Sequence, residues 1–283
     1  MRIVSLFSGI GGLELGLEWA GLGEVVAQVE LDPLCHQVLE RNWPRAKRFF
    51  DIRSVSASDF APSLSPALSA RGAGAAATQA QAESASLTVV ASTTDTLYCG
   101  GFPCQDISRR GSGHGIHGAQ SGLWAEYRRL IAEGRPRWVV IENSAQLVRR
   151  GLAVVLADLA ALGYAVWWDC LPAAAVGAPH LRDRVFIVAR LTPLALYWVP
   201  KDRESILARL KPESRHAPTI GEAVFALHNE DPRPTEAPRT AAPPFGFRQR
   251  HRMIGNAVVP QAAYVIGCAI KRIIDEENQH DRV

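Results

Sequence analysis

The chain of 283 residues carries 31 Lys and Arg against 28 Asp and Glu, a formal net charge of +3, and is 47% hydrophobic. It is long enough to bury a sizeable core, and its near-balanced charge permits a polyanionic partner while excluding a polybasic tail that would bind one by charge alone. Its five cysteines, Cys35, Cys99, Cys104, Cys170 and Cys268, lack zinc-type CxxC spacing and are odd in number, which argues against a metal site or disulfide framework and for a reducing, cytoplasmic compartment.

The opening MRIVSLFSGI lacks the apolar region that heads a signal peptide, and no apolar run is long enough to span a bilayer. Ile3–Phe7 reads as a strand and Leu13–Ala20 as a helix; Glu24–Glu30 is a second strand, and Pro33–Asn42 a helix with Pro33 in its first turn. Further strands are expected at Leu97–Gly100, Trp138–Glu142, Ala165–Leu171 and Val185–Arg190. Helices fall at Leu123–Glu133, stopped by Gly134 and Pro136, and at Leu152–Leu162. A closing helix over Gln261–Asp275 has Val265, Ala269 and Ile273 on one face, suited to docking. This alternation predicts an α/β fold: a doubly wound, mostly parallel sheet with helices on both faces.

Two segments break the pattern. Residues 54–95, including RGAGAAATQAQAESAS, have almost no large apolar side chains after Leu68 and read as a flexible, low-complexity surface insertion that cannot offset its ordering entropy. Residues 191–250 are rich in proline and charge, with nine basic against seven acidic side chains, a local charge of +2, and form the candidate second region.

FSGIGG, Phe7–Gly12, leaves a strand and enters a helix. Glycines there let backbone approach a ligand at the positive end of a helix dipole, although tight-turn packing accounts for the same glycines without one. Glu30, about one βα unit on, can accept both hydroxyls of a ribose. The dinucleotide pattern GxGxxG fails at Glu14, and a carboxylate near the helix start suits a sulfonium cofactor better than a pyrophosphate.

GGFPCQDIS places Cys104 in the loop after a strand, at the sheet edge where open α/β folds bind ligands. Rigid, glycine-led positioning suits a nucleophile; a small buried hydrophobe is the plainer reading. Glu142 of VVIENS ends another strand, as many solvated glutamates do. Arg182 and Arg184 of HLRDRVFIVAR share one face of an extended segment, which simple alternation toward solvent also explains. IGNAVVPQ, Ile254–Gln261, reads as a turn before the last helix, with Asn256 in it.

Taken in order, FSGIGG, Glu30, Asp51-Ile52, GGFPCQ, ENS, RDR and GNAVVP resemble the motif series of the cytosine-C5 DNA methyltransferases, and LADLAALGYAVWWDCLPAAAVGAPHLRDRVFIVA is similar to the bacterial and phage-borne members. The resemblance covers nearly the whole chain except 54–95 and roughly 191–245. It implies a class I, Rossmann-like methyltransferase domain over 1–190, a small, reduced DNA target-recognition region over 191–250, and a C-terminal segment, 251–283, completing the catalytic domain.

The resemblance further implies a mechanism. Cys104 would add to cytosine C6 and make C5 nucleophilic, with Glu142 as the acid at N3. Arg184 would hold O2 and orient Glu142, with Arg182 supporting the pocket or a phosphate. S-adenosyl-L-methionine would be the donor and S-adenosyl-L-homocysteine the product, with no metal. Phe7 would face the adenine, and the loop Gly9, Ile10, Gly11 and Gly12 would leave room for the methionine moiety. Glu30 would bind the ribose, Leu31 and Ile52 would sandwich the adenine, Asp51 would accept from its amine, and Asn256 and Val258 would close the site. The implied partners are double-stranded DNA with its cytosine flipped out and a cognate restriction enzyme, the protein being a monomer without a membrane anchor. Ser144 replaces the usual valine after Glu-Asn, and His180 the usual glutamine before the arginines; APTIGEAVFAL alone faintly resembles the start of a recognition region. An RNA cytosine-C5 methyltransferase and a catalytically degenerate DNA-binding remnant are the alternatives. Against them stand GFPC, where the RNA-modifying branch carries a second proline, and the intact Cys104, Glu142 and Arg184.

Overall fold

The computed structural model describes residues 1–62, 95–103, 123–178, 181–192 and 256–280; Cys104, the part 63–94 of the low-complexity segment and the part 193–250 of the second region lie outside them. In chain order the elements are β1 (Arg2–Leu6), α1 (Gly12–Trp19), β2 (Glu24–Val29), α2 (Pro33–Asn42), β3 (Lys47–Phe49), β4 (Thr96–Gly100), α3 (Trp124–Gly134), β5 (Trp138–Ser144), α4 (Leu147–Arg150), α5 (Leu152–Ala161), β6 (Tyr164–Pro172), β7 (Asp183–Leu191) and α6 (Pro260–His280). Short 3-10 turns cover Ile52–Ser54, Ala57–Phe60 and Ala173–Val176.

One seven-stranded sheet runs in the order β3-β2-β1-β4-β5-β7-β6. The pairs from β3 through β5 are parallel, and β7 pairs antiparallel with both β5 and β6. Central strands are apolar on both faces because helices cover both, as the fully buried Thr96–Gly100 illustrates. The chain moves outward from β1 to β3, then resumes at β4 on the other side of β1. That reversal opens a crevice at the carboxyl ends of β1 and β4, where such sheets bind ligands.

On one face α1 and α6 pack against Ile3, Leu97, Trp138 and Phe186. The two helices touch through small residues. A side chain at Gly16 would collide with the Pro260 carbonyl and Ala263, and one at Gly267 with Ala20. On the other face α3 and α5 cover Val4, Leu6, Val139 and Ile187. The far end of α6 is held by Glu277, whose carboxylate pairs with Arg137 at 2.9 Å and Arg190 at 2.5 Å. No helix among the described residues is long and apolar enough to cross a membrane.

The expected elements are present, with ends shifted by a few residues, and α2 covers the expected span. Pro33 sits at its start, and Asp32 caps it by accepting from the Leu34 N–H at 3.0 Å. The short β3 and α4 were not anticipated; three or four residues carry too little periodicity to be read. Helix α3 ends at Gly134 as expected, with Arg135 beyond it in the left-handed region at φ 46°; a side chain at Gly134 would collide with the Tyr98 hydroxyl. One expectation is corrected. Residues 54–62 do not belong to a surface insertion: Val55 and Phe60 are buried, and the Phe60 ring meets Phe49 and Tyr98 edge-on at 5.7 and 5.9 Å. Two bulky apolar side chains in a polar stretch are enough to anchor it.

Candidate active site

A cleft of about 310 Å³ follows the carboxyl edge of the sheet. Every parallel strand contributes to its wall: Phe7 and Gly9 after β1, Glu30 after β2, Asp51 after β3, Phe102 and Pro103 after β4, and Glu142 in β5. The sheet's own polarity thus gathers residues from distant parts of the chain.

The first half of the cleft is built by the turn after β1. Phe7 holds a left-handed φ of 60°, which non-glycine residues rarely adopt and which marks a constrained site. Gly9, at φ 56°, has nothing within 4 Å of where a side chain would project, so its surface is open to the cleft. Its N–H donates to Glu30 Oε2 at 2.7 Å, and the Asp32 N–H donates to Glu30 Oε1 at 2.8 Å. Each carboxylate oxygen keeps a second acceptor site, so Glu30 is held rigidly yet remains able to bind a pair of hydroxyls. Leu31, 65% exposed, and the buried Ile52 both line the cleft. Phe50 also lines it, and its ring stacks on His36 at 3.9 Å. Asp51 lines the cleft too, but Arg53 grips both of its oxygens at 2.7–3.1 Å and holds its pKa below the usual carboxylate range.

Several expected contacts fall elsewhere. Gly11 and Gly12 do not line the cleft: a side chain at Gly11 would collide with the Trp43 ring, and one at Gly12 with the Val258 carbonyl. Their lack of a side chain serves packing. Ile10 is buried against Cys35 and Val38, and Val258 contacts the turn from behind, whereas Asn256 does reach the cleft. Glu14 does not face a ligand either; its side chain is fully buried beneath the turn. A charge near a helix start points outward only when the helix face does, and this face of α1 is covered by the sheet.

The second half of the cleft holds Glu142, buried at the end of β5. Residues 142 and 184 lie on the paired strands β5 and β7, and Arg184 Nε lies 2.6 Å from Glu142 Oε1. The contact is a close ion pair. Burial pushes the Glu142 pKa up, and the charges of Arg184 and then Arg182 oppose that shift. A side chain at Gly101 would come within 2.8 Å of Glu142 Oε2. Asn143 donates to the Phe102 carbonyl at 3.0 Å, tying β5 to the loop that leads into Cys104. Asn143 was not singled out from the sequence, although it sits inside the quoted ENS motif. Pro103, the sequence neighbour of Cys104, lines the cleft together with Arg182 and Arg184.

A family model described as C-5 cytosine-specific DNA methylase matches residues 1–65 and 82–241. The chain is 32% identical over 210 residues to the type II methyltransferase M2.BsuMI of Bacillus subtilis (strain 168), covering 71% of this chain and 44% of that protein. It is 30% identical over 200 residues to the type II methyltransferase M.AquIA of Picosynechococcus sp., covering 66% of this chain and 71% of that protein. The chain therefore spans less than half the length of M2.BsuMI. Among solved structures, the Entamoeba histolytica methyltransferase EhMeth aligns over 96% of this chain and 98% of its own, with TM-score 0.60 and 12% identity. A prophage-encoded E. coli protein described as a DNA modification methyltransferase aligns over 97% and 99%, with TM-score 0.57 and 17% identity. These two likenesses concern the fold.

Proposed function

The chain belongs to the C-5 cytosine-specific DNA methylase family, and from that premise we propose that it methylates C5 of cytosine in double-stranded DNA through a covalent bond to Cys104. The observation that carries this reading is the buried Glu142 carboxyl paired with Arg184 in the same cleft as the Gly9–Glu30 contact. One half of that cleft suits an adenosine-containing donor: open space over Gly9, a carboxylate for the ribose, and Leu31 and Ile52 beside the ring. Bound there, S-adenosylmethionine would supply an electrophilic methyl group.

Each residue then has a defined task. A base inside a duplex is out of reach, so the cytosine turns out into the cleft. The Cys104 thiolate forms a bond to C6, and the C5–C6 electron pair moves onto C5. Glu142, whose pKa burial raises, donates a proton toward N3 as the acid, and Arg184 holds O2 while fixing the Glu142 carboxyl. After C5 has gained the methyl group, water takes its proton, the C5–C6 double bond returns, the sulfur departs with the electrons of the C6 bond, and N3 gives its proton back to Glu142. Arg182 supports the cleft wall or a phosphate. Because Arg53 already occupies both Asp51 oxygens, the adenine amine is recognised only if that pair yields.

The region 191–250 would read the DNA. Since each correctly read base pair contributes about 1–3 kcal/mol of discrimination, a region this short supports a site of roughly two to four base pairs. By the same proposal it is a monomeric protein in the cytoplasm that protects DNA against a cognate restriction enzyme; the relatives' names bear only on its being a type II methyltransferase. The test is a duplex carrying 5-fluorocytosine with S-adenosylmethionine. A covalent adduct should form with the native protein and be lost in Cys104→Ala. Methylation surviving in Cys104→Ala, or methylation of RNA and not DNA, would overturn the reading.

A further inference from the structure

The sheet face beneath α1 carries a row of polar side chains inside an otherwise apolar core. Gln28 of β2 and Cys99 of β4 flank Ser5 of β1 across the strands, and all are fully buried. Glu14, in the first turn of α1, brings a fully buried carboxyl onto this row, where Ser5, Ser8 and Gln28 face it. The Ser8 hydroxyl donates to Ser5 Oγ at 2.9 Å. No hydrogen bond of full geometry reaches either Glu14 oxygen or either polar atom of the Gln28 amide, although Ser5, Ser8 and Gln28 lie close enough to bond the carboxyl. Buried polar groups are normally paired. A carboxylate offers acceptors only and leaves the amide oxygen unpaired; a neutral carboxylic acid offers one donor and one acceptor, the complement of a primary amide.

We propose that Glu14 is a positioning residue held as a neutral acid and paired with the Gln28 amide through two hydrogen bonds, fastening the start of α1 to β2. Gln28 lies two residues before Glu30, and Glu14 two after Gly12, so the pair sets the turn Phe7–Gly12 against the carboxylate that Gly9 contacts. Only this consequence for ligand binding rests on the cofactor reading above. Burial pushes the Glu14 pKa up to about 7, opposed by Ser5, Ser8 and Gln28. The other titratable groups in the cluster are Cys99 and Tyr127, both raised mainly by burial and further by Glu14, and Glu18, which adds to the shift at Cys99. None of them is a base that could compensate an ionised Glu14. Since the folded pKa lies above the unfolded one, the stabilisation is present at acidic pH and is lost as pH rises through about 7.

Carbon-13 NMR of the Glu carboxyl carbons and carbonyl infrared spectra of the native protein at pH 6 should show a neutral carboxylic acid signal that is lost in Glu14→Gln and kept in Glu142→Gln, since the Glu142 carboxyl is also raised. S-adenosylhomocysteine affinity of the native protein should fall by about tenfold between pH 6 and pH 8.5, as each pH unit above the pKa costs up to a factor of ten. Glu14→Gln, whose amide also carries a donor and an acceptor, should stay flat over that range and melt with less pH dependence. A neutral-acid signal unchanged in Glu14→Gln, or identical pH slopes in the two proteins, would overturn the proposal. Absence of S-adenosylhomocysteine binding to both proteins at both pH values would overturn the cofactor reading, and the carboxyl signal with the melting slopes would then decide the acid–amide pair by itself.

Discussion

Arg184 Nε lies 2.6 Å from Oε1 of the buried Glu142, across the antiparallel pairing of β7 with β5. Burial raises the pKa of this carboxyl, and the guanidinium groups of Arg184 and then Arg182 restrain it. Replacing Arg184 by Ala therefore raises the Glu142 pKa further and carries the alkaline limb of the methyl-transfer pH profile upward, whereas Arg184→Lys leaves it closer to the native position. Glu142→Gln should lower turnover by about 10²–10⁴, the usual worth of a positioned acid, with S-adenosylhomocysteine affinity unchanged in calorimetry. The sign for stability is the same as for any raised carboxyl: the contribution is present below the ordinary Glu range and is lost as pH rises through the folded value.

Gly101 is expected to be intolerant for a reason separate from the chemistry. An added methyl at this position meets Glu142 Oε2 at 2.8 Å and the Glu142 carbonyl at 3.1 Å, and the carbonyl belongs to a strand that cannot move aside. Gly101→Ala should cost turnover while leaving cofactor affinity near native, since the Gly9–Glu30 end of the cleft is untouched. Equal losses in both measurements would mean that the strand itself had shifted.

Glu30 joins the turn after β1 to the start of α2 through its bonds to the Gly9 and Asp32 N–H groups. Hydrogen bonds to a charged group contribute about 1.5–3 kcal/mol each. Glu30→Ala should therefore weaken S-adenosylhomocysteine binding by at least about tenfold and also lower the melting temperature; Glu30→Gln should retain part of both.

Phe60→Ala tests where the core ends. The ring is 3% exposed and packs edge-on against Phe49 and Tyr98, so its loss should cost about 3–5 kcal/mol in denaturant unfolding, as for other buried aromatic truncations. A cost below about 1 kcal/mol would restore residues 54–62 to a surface segment.

Glu277 is the shared partner of Arg137 and Arg190 at the end of α6. All three side chains are 24–32% exposed, so solvent discounts the pairing to about 1 kcal/mol for the network. Glu277→Gln should lower the melting temperature by about 2–4 °C, and added salt should shrink the difference between the two proteins.

The order of strands and helices was legible because each element announces itself within a short window: the apolar run at Trp138–Ile141, the capped start of α2 at Asp32-Pro33, the apolar face of α6. So was the likeness of the motif series, and with it Glu30, Glu142, Arg182 and Arg184 as lining one cleft. Windows carry no information about what lies opposite. That Gly11 yields to Trp43 and Gly12 to Val258, while Gly9 alone opens on the cleft, depends on residues brought near from far along the chain. Glu14 reads as a charge at a helix start, yet the pairing of β1 with β2 and the seat of α1 above them enclose it with Ser5 and Gln28. Local periodicity determined which elements form. The packing of the sheet decided which polar groups are solvated, which are buried, and whose charge meets whose, because burial and electrostatics depend on distance in space and not along the chain.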